Sequence, residues 1–173
     1  MNETLKVLES RRSCRKFTAR MPSQEDIEAI IRAGTFAASG MGKQPMKIIA
    51  VTNKEMRDKI SEENAKIMGT NMDPFYGAPV ILVVIADKSS GTYIYDGALV
   101  MGNLMNAAES LGINNIWIHR AKEEFESEFG KEILKNLGIV GDWEGIGHVA
   151  LGYAAEGGVG QAHPRKDNVH WIS

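Results

Sequence analysis

At 173 residues the chain has the length of one ordinary domain, and its 43% hydrophobic content is enough to fill one core without staples. The only cysteine, Cys14, excludes an intrachain disulfide and a cysteine-built metal site. Twenty basic residues against twenty-two acidic ones leave a net charge of −2, which argues against a chain-wide footprint for nucleic acid, so any anion site must be local. The start Met1-Asn2-Glu3-Thr4-Leu5-Lys6 has no cationic stretch before an apolar block, and the longest apolar run, Pro79 to Ala86, is too short to cross a bilayer. The expectation is a cytoplasmic protein with neither a membrane nor a nucleic-acid partner.

In chain order, a helix is expected over Glu3 to Ser10. A second begins at Ser23 as N-cap, with Glu25 and Asp26 in its first turn and Ile27, Ile30 and Ile31 on one face. Met46 to Thr52 is a short β-prone run. Asn53 then caps a polar helix with Met56, Ile60 and Ile67 on one side. The stretch from Pro79 to Ile85 has β-branched residues on both faces and reads as a central strand covered on both sides. The longest helix runs from about Tyr93 to Leu111, with Ala98, Met101, Leu104, Met105 and Ala108 at helical spacing and Gly112 as its stop. A strand over Asn115 to His119, a helix over Glu123 to Leu137 ended by Gly138, and a strand over Ile146 to Tyr153 complete the set. The elements leave α/β and α+β both open. The tail Gly157 to Ser173 is Gly-rich, then basic, then ends Val169-His170-Trp171-Ile172 with no core period, so a partner subunit is a natural surface for it.

Several segments are candidates for chemistry. Arg11, Arg12, Ser13 and Arg15 crowd three guanidinium groups and a hydroxyl at the end of the first helix. They read either as a solvated cluster complementing the helix dipole or as an anion site, since guanidinium forks match phosphate oxygens in pairs. The loop Ala37 to Pro45 is richer in small residues and longer than its join requires, and Gln44 brings a donor and an acceptor. Gly145-Ile146-Gly147-His148-Val149-Ala150 matches a dinucleotide GxGxxA pattern. Its glycines open a strand-like run rather than a strand-to-helix turn, so a Rossmann site is not expected. His119, His148, His163 and His170 lack metal-ligand spacing. Cys14 reads as a packed small hydrophobe rather than a nucleophile despite its arginine neighbours, and Trp117 and Trp143 as core or interface residues.

Taken in order, these segments make the chain resemble the FMN-dependent nitroreductase family over nearly its whole length. The carriers are Glu9 to Phe17, Ala37 to Pro45, Gly77-Ala78-Pro79, Asp96 to Gly112 and Val149-Ala150-Leu151-Gly152-Tyr153. The resemblance implies an α+β fold, a mostly antiparallel central sheet flanked by helices. It implies one flavin-binding domain over 1–173 and a homodimer in which the 157–173 extension is exchanged onto the partner. Arg11 and Ser13 match the family's phosphate contacts, Arg12 contributes mainly backbone, and Arg165 and Lys166 match a basic pair from the tail. Arg15 matches the residue at the flavin N1 and C2 carbonyl edge. Ser39, Gly40 and Gln44 match a loop supplied by the second subunit, Asn71 a ring-edge contact, and Trp117, Ile118 and His119 the segment beside the isoalloxazine. Family members carry Asn and Trp where this chain has Gly42 and Met46, and an acidic or small residue where it has His119 followed by Arg120.

The activity so implied is an NAD(P)H-dependent FMN oxidoreductase. It would reduce nitroaromatics, quinones or similar small-molecule electron acceptors by ping-pong hydride transfer through flavin N5, the protein supplying position and field rather than acids and bases. NADH and NADPH are both open as reductant, because no residue is a clear reader of a 2′-phosphate. Two other readings stay open: a flavin-binding dimer in flavin handling or sensing with little turnover, and a related reductive flavoenzyme of the dehalogenase or ene-reductase type.

Overall fold

A computed structural model describes residues 1–172. Its frame is a four-stranded sheet, β1 (Met46–Val51), β2 (Val80–Asp87), β3 (Asn114–Ile118) and β4 (Trp143–Gly152), in the order β1-β2-β4-β3 with every pairing antiparallel. Helices flank it: α1 (Glu3–Ser10), α2 (Gln24–Thr35), α3 (Lys54–Met68), α4 (Tyr93–Ser110), α5 (Ala121–Glu126) and α6 (Glu128–Asn136). The fold is α+β, as expected.

β2 is the hub. Residues 80–86 are all buried, and its side chains alternate between two cores. Ile81, Val83 and Ile85 face Ile60, Phe75, Phe125 and Leu134 on the side of α3, α5 and α6. Val80, Leu82 and Val84 face Ile30, Val100, Met101 and Leu104 on the side of α2 and α4. A continuous β-branched run with no polar face is what a strand covered on both sides requires.

The caps follow the sequence: Ser23 Oγ accepts from Asp26 N at 3.1 Å, and Asn53 Oδ1 from Met56 N at 2.9 Å. One expected element is corrected. The helix over Glu123 to Leu137 is two helices, broken at Ser127, which is extended (φ −72°, ψ 163°) and caps α6 by accepting from Gly130 N. Gly130 lies against the Glu124 carbonyl, where any Cβ would collide, so α6 folds back onto α5 instead of prolonging it. The apolar spacing of Phe125, Phe129 and Ile133 runs through the break and hides it. β4 also begins at Trp143, three residues ahead of the expected start.

Candidate active site

The site is built on the outer edge of β3. There the extended segment after α1 lies beside the sheet: Ser13 bridges Asn115 in parallel, and Cys14 N donates to Asn115 O at 3.0 Å. On its other side the segment pairs with the end of the chain. Cys14 bridges Val159, Arg15 N donates to Gly158 O at 2.7 Å, and Ala155 N donates to Lys16 O at 2.9 Å. Cys14 is wholly buried, and burial pushes its thiol above the ordinary range despite a hydrogen bond to Lys16 O. It is packing, not a nucleophile. Because neighbours on an extended chain point to opposite sides, the inward Cys14 sends Ser13 and Arg15 outward.

They open onto a cleft of about 310 Å³ lined by Arg11, Arg12, Ser13, Arg15, Gln161, His163 and Arg165. Arg12 Nη1 donates to Glu9 O and Arg11 O, at 2.6 and 2.9 Å, so its guanidinium caps α1. Arg11 is different: its Nη1 is buried and has no hydrogen-bond partner among the described residues. A buried guanidinium donor without a partner is costly unless an anion satisfies it, and no carboxylate lines this cleft. The helix-capping reading of the cluster thus fits Arg12, while Arg11 is left with an unpartnered donor.

A second cleft of about 280 Å³ shares one lining residue, Arg15, with the first. Its floor is the edge of β3 at Ile116, Trp117 and Ile118, with His119 and Arg120 beyond, and its other wall is the loop from Thr70 to Tyr76. Past Asn115 the outer edge of β3 has no strand partner among the described residues, so backbone donors and acceptors face this cleft. Trp117 packs its ring on Gly147, where a Cβ would come within 2.8 Å of the indole. The GxGxxA pattern is thus a bed for an aromatic side chain within β4, not a phosphate loop.

Both walls are held from beneath by α3. Arg57 Nε donates to Ala78 O at 2.9 Å and its Nη2 to Asp73, whose carboxylate also accepts from Ser61 Oγ, Phe75 N and Gly77 N. Burial alone would raise the Asp73 carboxyl, but these donors outweigh it and hold the group below the ordinary carboxylate range. Asn64 Nδ2 donates to His119 O at 3.0 Å, and Asn64 Oδ1 accepts from Arg120 Nε at 3.0 Å. These inward polar groups correct the expected stripe: Ile60 is buried, yet so are Arg57, Ser61 and Asn64, while Ile67 is only half-buried.

Of the residues singled out from sequence, Arg11, Arg12, Ser13, Arg15 and Arg165 meet at the first cleft and Arg15, Trp117, Ile118 and His119 at the second. Lys166 and Asn71 are exposed and line neither, although Thr70 and Met72 beside Asn71 do. Ser39, Gly40 and Gln44 also line neither. Their loop is pinned to α4, with Gly40 N donating to Asp96 Oδ1 at 3.0 Å, and Gln44 opens instead on a groove beside β1. Sequence reasoning passed over Gln161 and Asp73, set His163 aside for want of metal-ligand spacing, and noted Arg120 only as a departure from the family pattern. The basic tail was the only hint of Gln161, and nothing in the spacing marks Asp73.

The arrangement offers an anion cradle with an unpaired guanidinium, joined through Arg15 to a flat slot along a strand edge. Residues 8–153 match the family model described as the nitroreductase family. The chain belongs to that family. This nitroreductase-family chain is similar to a crystal structure of a nitroreductase with bound FMN from Bacteroides fragilis, at 26% identity, complete coverage of both chains and a TM-score of 0.90. It is likewise similar to a nitroreductase with bound FMN from Desulfitobacterium hafniense, at 33% identity, complete coverage of both and a TM-score of 0.86. A relative from Archaeoglobus fulgidus named "Putative NADH dehydrogenase/NAD(P)H nitroreductase" is 34% identical over 158 residues, 88% of this chain and 86% of its own. Among the described residues no helix is long and apolar enough to cross a membrane.

Proposed function

We propose that the paired clefts hold FMN, the phosphate at Arg11, Ser13 and Arg165 and the ring along β3, and that the protein is an NAD(P)H-dependent FMN oxidoreductase reducing nitroaromatics, quinones or similar acceptors. The observation that carries the reading is the buried, unpartnered Arg11 Nη1 in a cradle that Arg15 connects to a flat slot. Bound there, FMN supplies what no side chain can, passing a hydride equivalent from a reduced nicotinamide to an oxidised acceptor. The protein's part is placement and field. Arg15 puts a cation at the junction of the clefts, where it favours negative charge on whatever lies between them. The edge of β3 presents backbone groups along one side of the slot, and His119 is exposed beside it. One slot serving reductant and acceptor in turn gives ping-pong kinetics.

The proposed assembly is a homodimer. Ser39, Gly40 and Gln44 lie away from the clefts of their own chain, as a loop serving the partner's site must. The tail supports the same reading, with every residue from 161 to 172 exposed and Trp171 at 90%. The test is to purify the protein and titrate it with FMN. A yellow, bleachable protein is expected, reduced by NADH or NADPH and reoxidised by a quinone. In Arg11→Ala, FMN should bind about tenfold or more weakly while riboflavin, which has no phosphate, is unaffected. A protein that takes up no FMN would sink the reading.

A further inference from the structure

The ring cleft carries a cation that the reading so far does not use. Arg120 has φ 74°, the left-handed region that a long side chain enters only when its surroundings hold it there. What holds it is Asn64, which is wholly buried and whose orientation is fixed. Its Nδ2 donates to His119 O at 3.0 Å and lies 3.4 Å from Glu124 Oε2, so Oδ1 must face Arg120 and accept from Nε. Glu124 lies 3.2 Å from His148 Nε2, both fully buried. Asp73, the only acid lining the cleft, is saturated by Arg57, Ser61 and two backbone amides. Arg120 is therefore anchored by Nε alone, and its two Nη groups have no protein partner among the described residues. Opposite it stand Met68 and Met72, half or more exposed, whose flexible thioethers fit flat rings of varied outline.

We propose that Arg120 selects the oxidising substrate, its Nη edge receiving the carboxylate of a flat aromatic acceptor lying in the ring cleft. This rests on the reading of the clefts as an FMN site. A guanidinium held by Nε presents its two terminal nitrogens as a fork matched to a carboxylate, and one already fixed by Asn64 loses little freedom on binding. The substrate class is aromatic acids carrying a reducible group, such as nitrobenzoates, in preference to neutral analogues of the same shape.

The test uses FMN-loaded protein at low salt, with 4-nitrobenzoate and 4-nitrobenzyl alcohol as acceptors. The wild type should favour the benzoate in kcat/KM by about tenfold. Arg120→Gly is the decisive variant, because glycine takes φ 74° without strain and keeps the backbone. In it the ratio should fall to about one, and Arg120→Lys, which keeps charge but not the fork, should lie between. Calorimetry on the oxidised holoprotein supplies a readout without turnover: benzoate should bind about tenfold more weakly in Arg120→Gly, with benzyl alcohol unchanged. Stopped-flow reduction by NADH and NADPH separates the other source of anionic groups. A loss confined to that half-reaction would assign Arg120 to a dinucleotide phosphate and overturn the proposal, as would a charge preference that survives Arg120→Gly or is absent from the wild type. A protein that binds no FMN removes the parent reading and this inference together; a yellow protein indifferent to acceptor charge removes this inference alone.

Discussion

Past its first turn, the buried side of α4 is Gly97, Val100, Met101, Leu104 and Ala108, whereas that of α3 is Arg57, Ile60, Ser61, Asn64 and Ala65. Both helices lie against the same sheet on opposite faces, yet the first fills space and the second ties loops. Apolar packing on α4 is non-directional and supports the fold as a whole. The polar groups on α3 act through directional bonds instead: Arg57 and Ser61 hold the loop around Asp73, and Asn64 holds the turn at His119 and Arg120. The two loops are the walls of the ring cleft. Stability and site geometry are thus lodged in different helices, and substitutions should separate them.

Leu104→Ala, in a fully buried position of α4, should cost about 2–5 kcal/mol in urea unfolding while the remaining folded protein keeps its affinity for FMN. A large loss of affinity with little loss of stability would erase the distinction. Asp73→Asn should cost less, about 1–3 kcal/mol, and should alter acceptor KM because the loop wall loosens. It also has a pH signature. The Asp73 carboxyl is depressed in the folded protein, so its stabilisation is present above the unfolded value near 3.9 and is lost as pH falls through the lower folded value. Acid unfolding below about pH 4 should therefore be shallower in Asp73→Asn than in the wild type. Ser61→Ala removes one 2.6 Å donor to Asp73 and should cost about 1 kcal/mol by denaturant titration, with the same direction of change in KM. The smallest effect on the monomer belongs to the outer side of α4, where Ile94, Tyr95 and Leu99 are exposed. Leu99→Asp should change unfolding by no more than about 0.5 kcal/mol yet split the proposed homodimer in light scattering; a dimer that persists would move the interface elsewhere.

The same contrast explains what could be read from the sequence. β2 and α4 were legible because burial on two faces or one leaves a period in the residue types, as did the caps at Ser23 and Asn53. α3 was legible as a helix but not in its orientation, since Arg57, Ser61 and Asn64 read as solvent-facing and their partners lie in loops with no period. Ser127 carried an N-cap signal that the unbroken spacing of Phe125, Phe129 and Ile133 masked. At the candidate site the arginines near the start of the chain were visible as a cluster, and the resemblance grouped them with Trp117 to His119 and with Arg165. Which guanidinium caps a helix and which lies unpartnered was not visible, because Arg11 and Arg12 differ only in what surrounds them.

The pairing of residues 13–17 with residues near 154–159 sets an order of assembly. Lys16 and Glu156, 140 positions apart, come within 3.5 Å, and the bridges from Cys14 to Val159 and from Phe17 to Ala154 close the same loop. Closure of so long a loop is entropically unfavourable until the sheet between its ends has formed. The proposed phosphate cradle therefore forms late, after the two cores, and a chain cut before Gly158 has Arg11 and Arg15 but neither Arg165 nor a cleft to set them around.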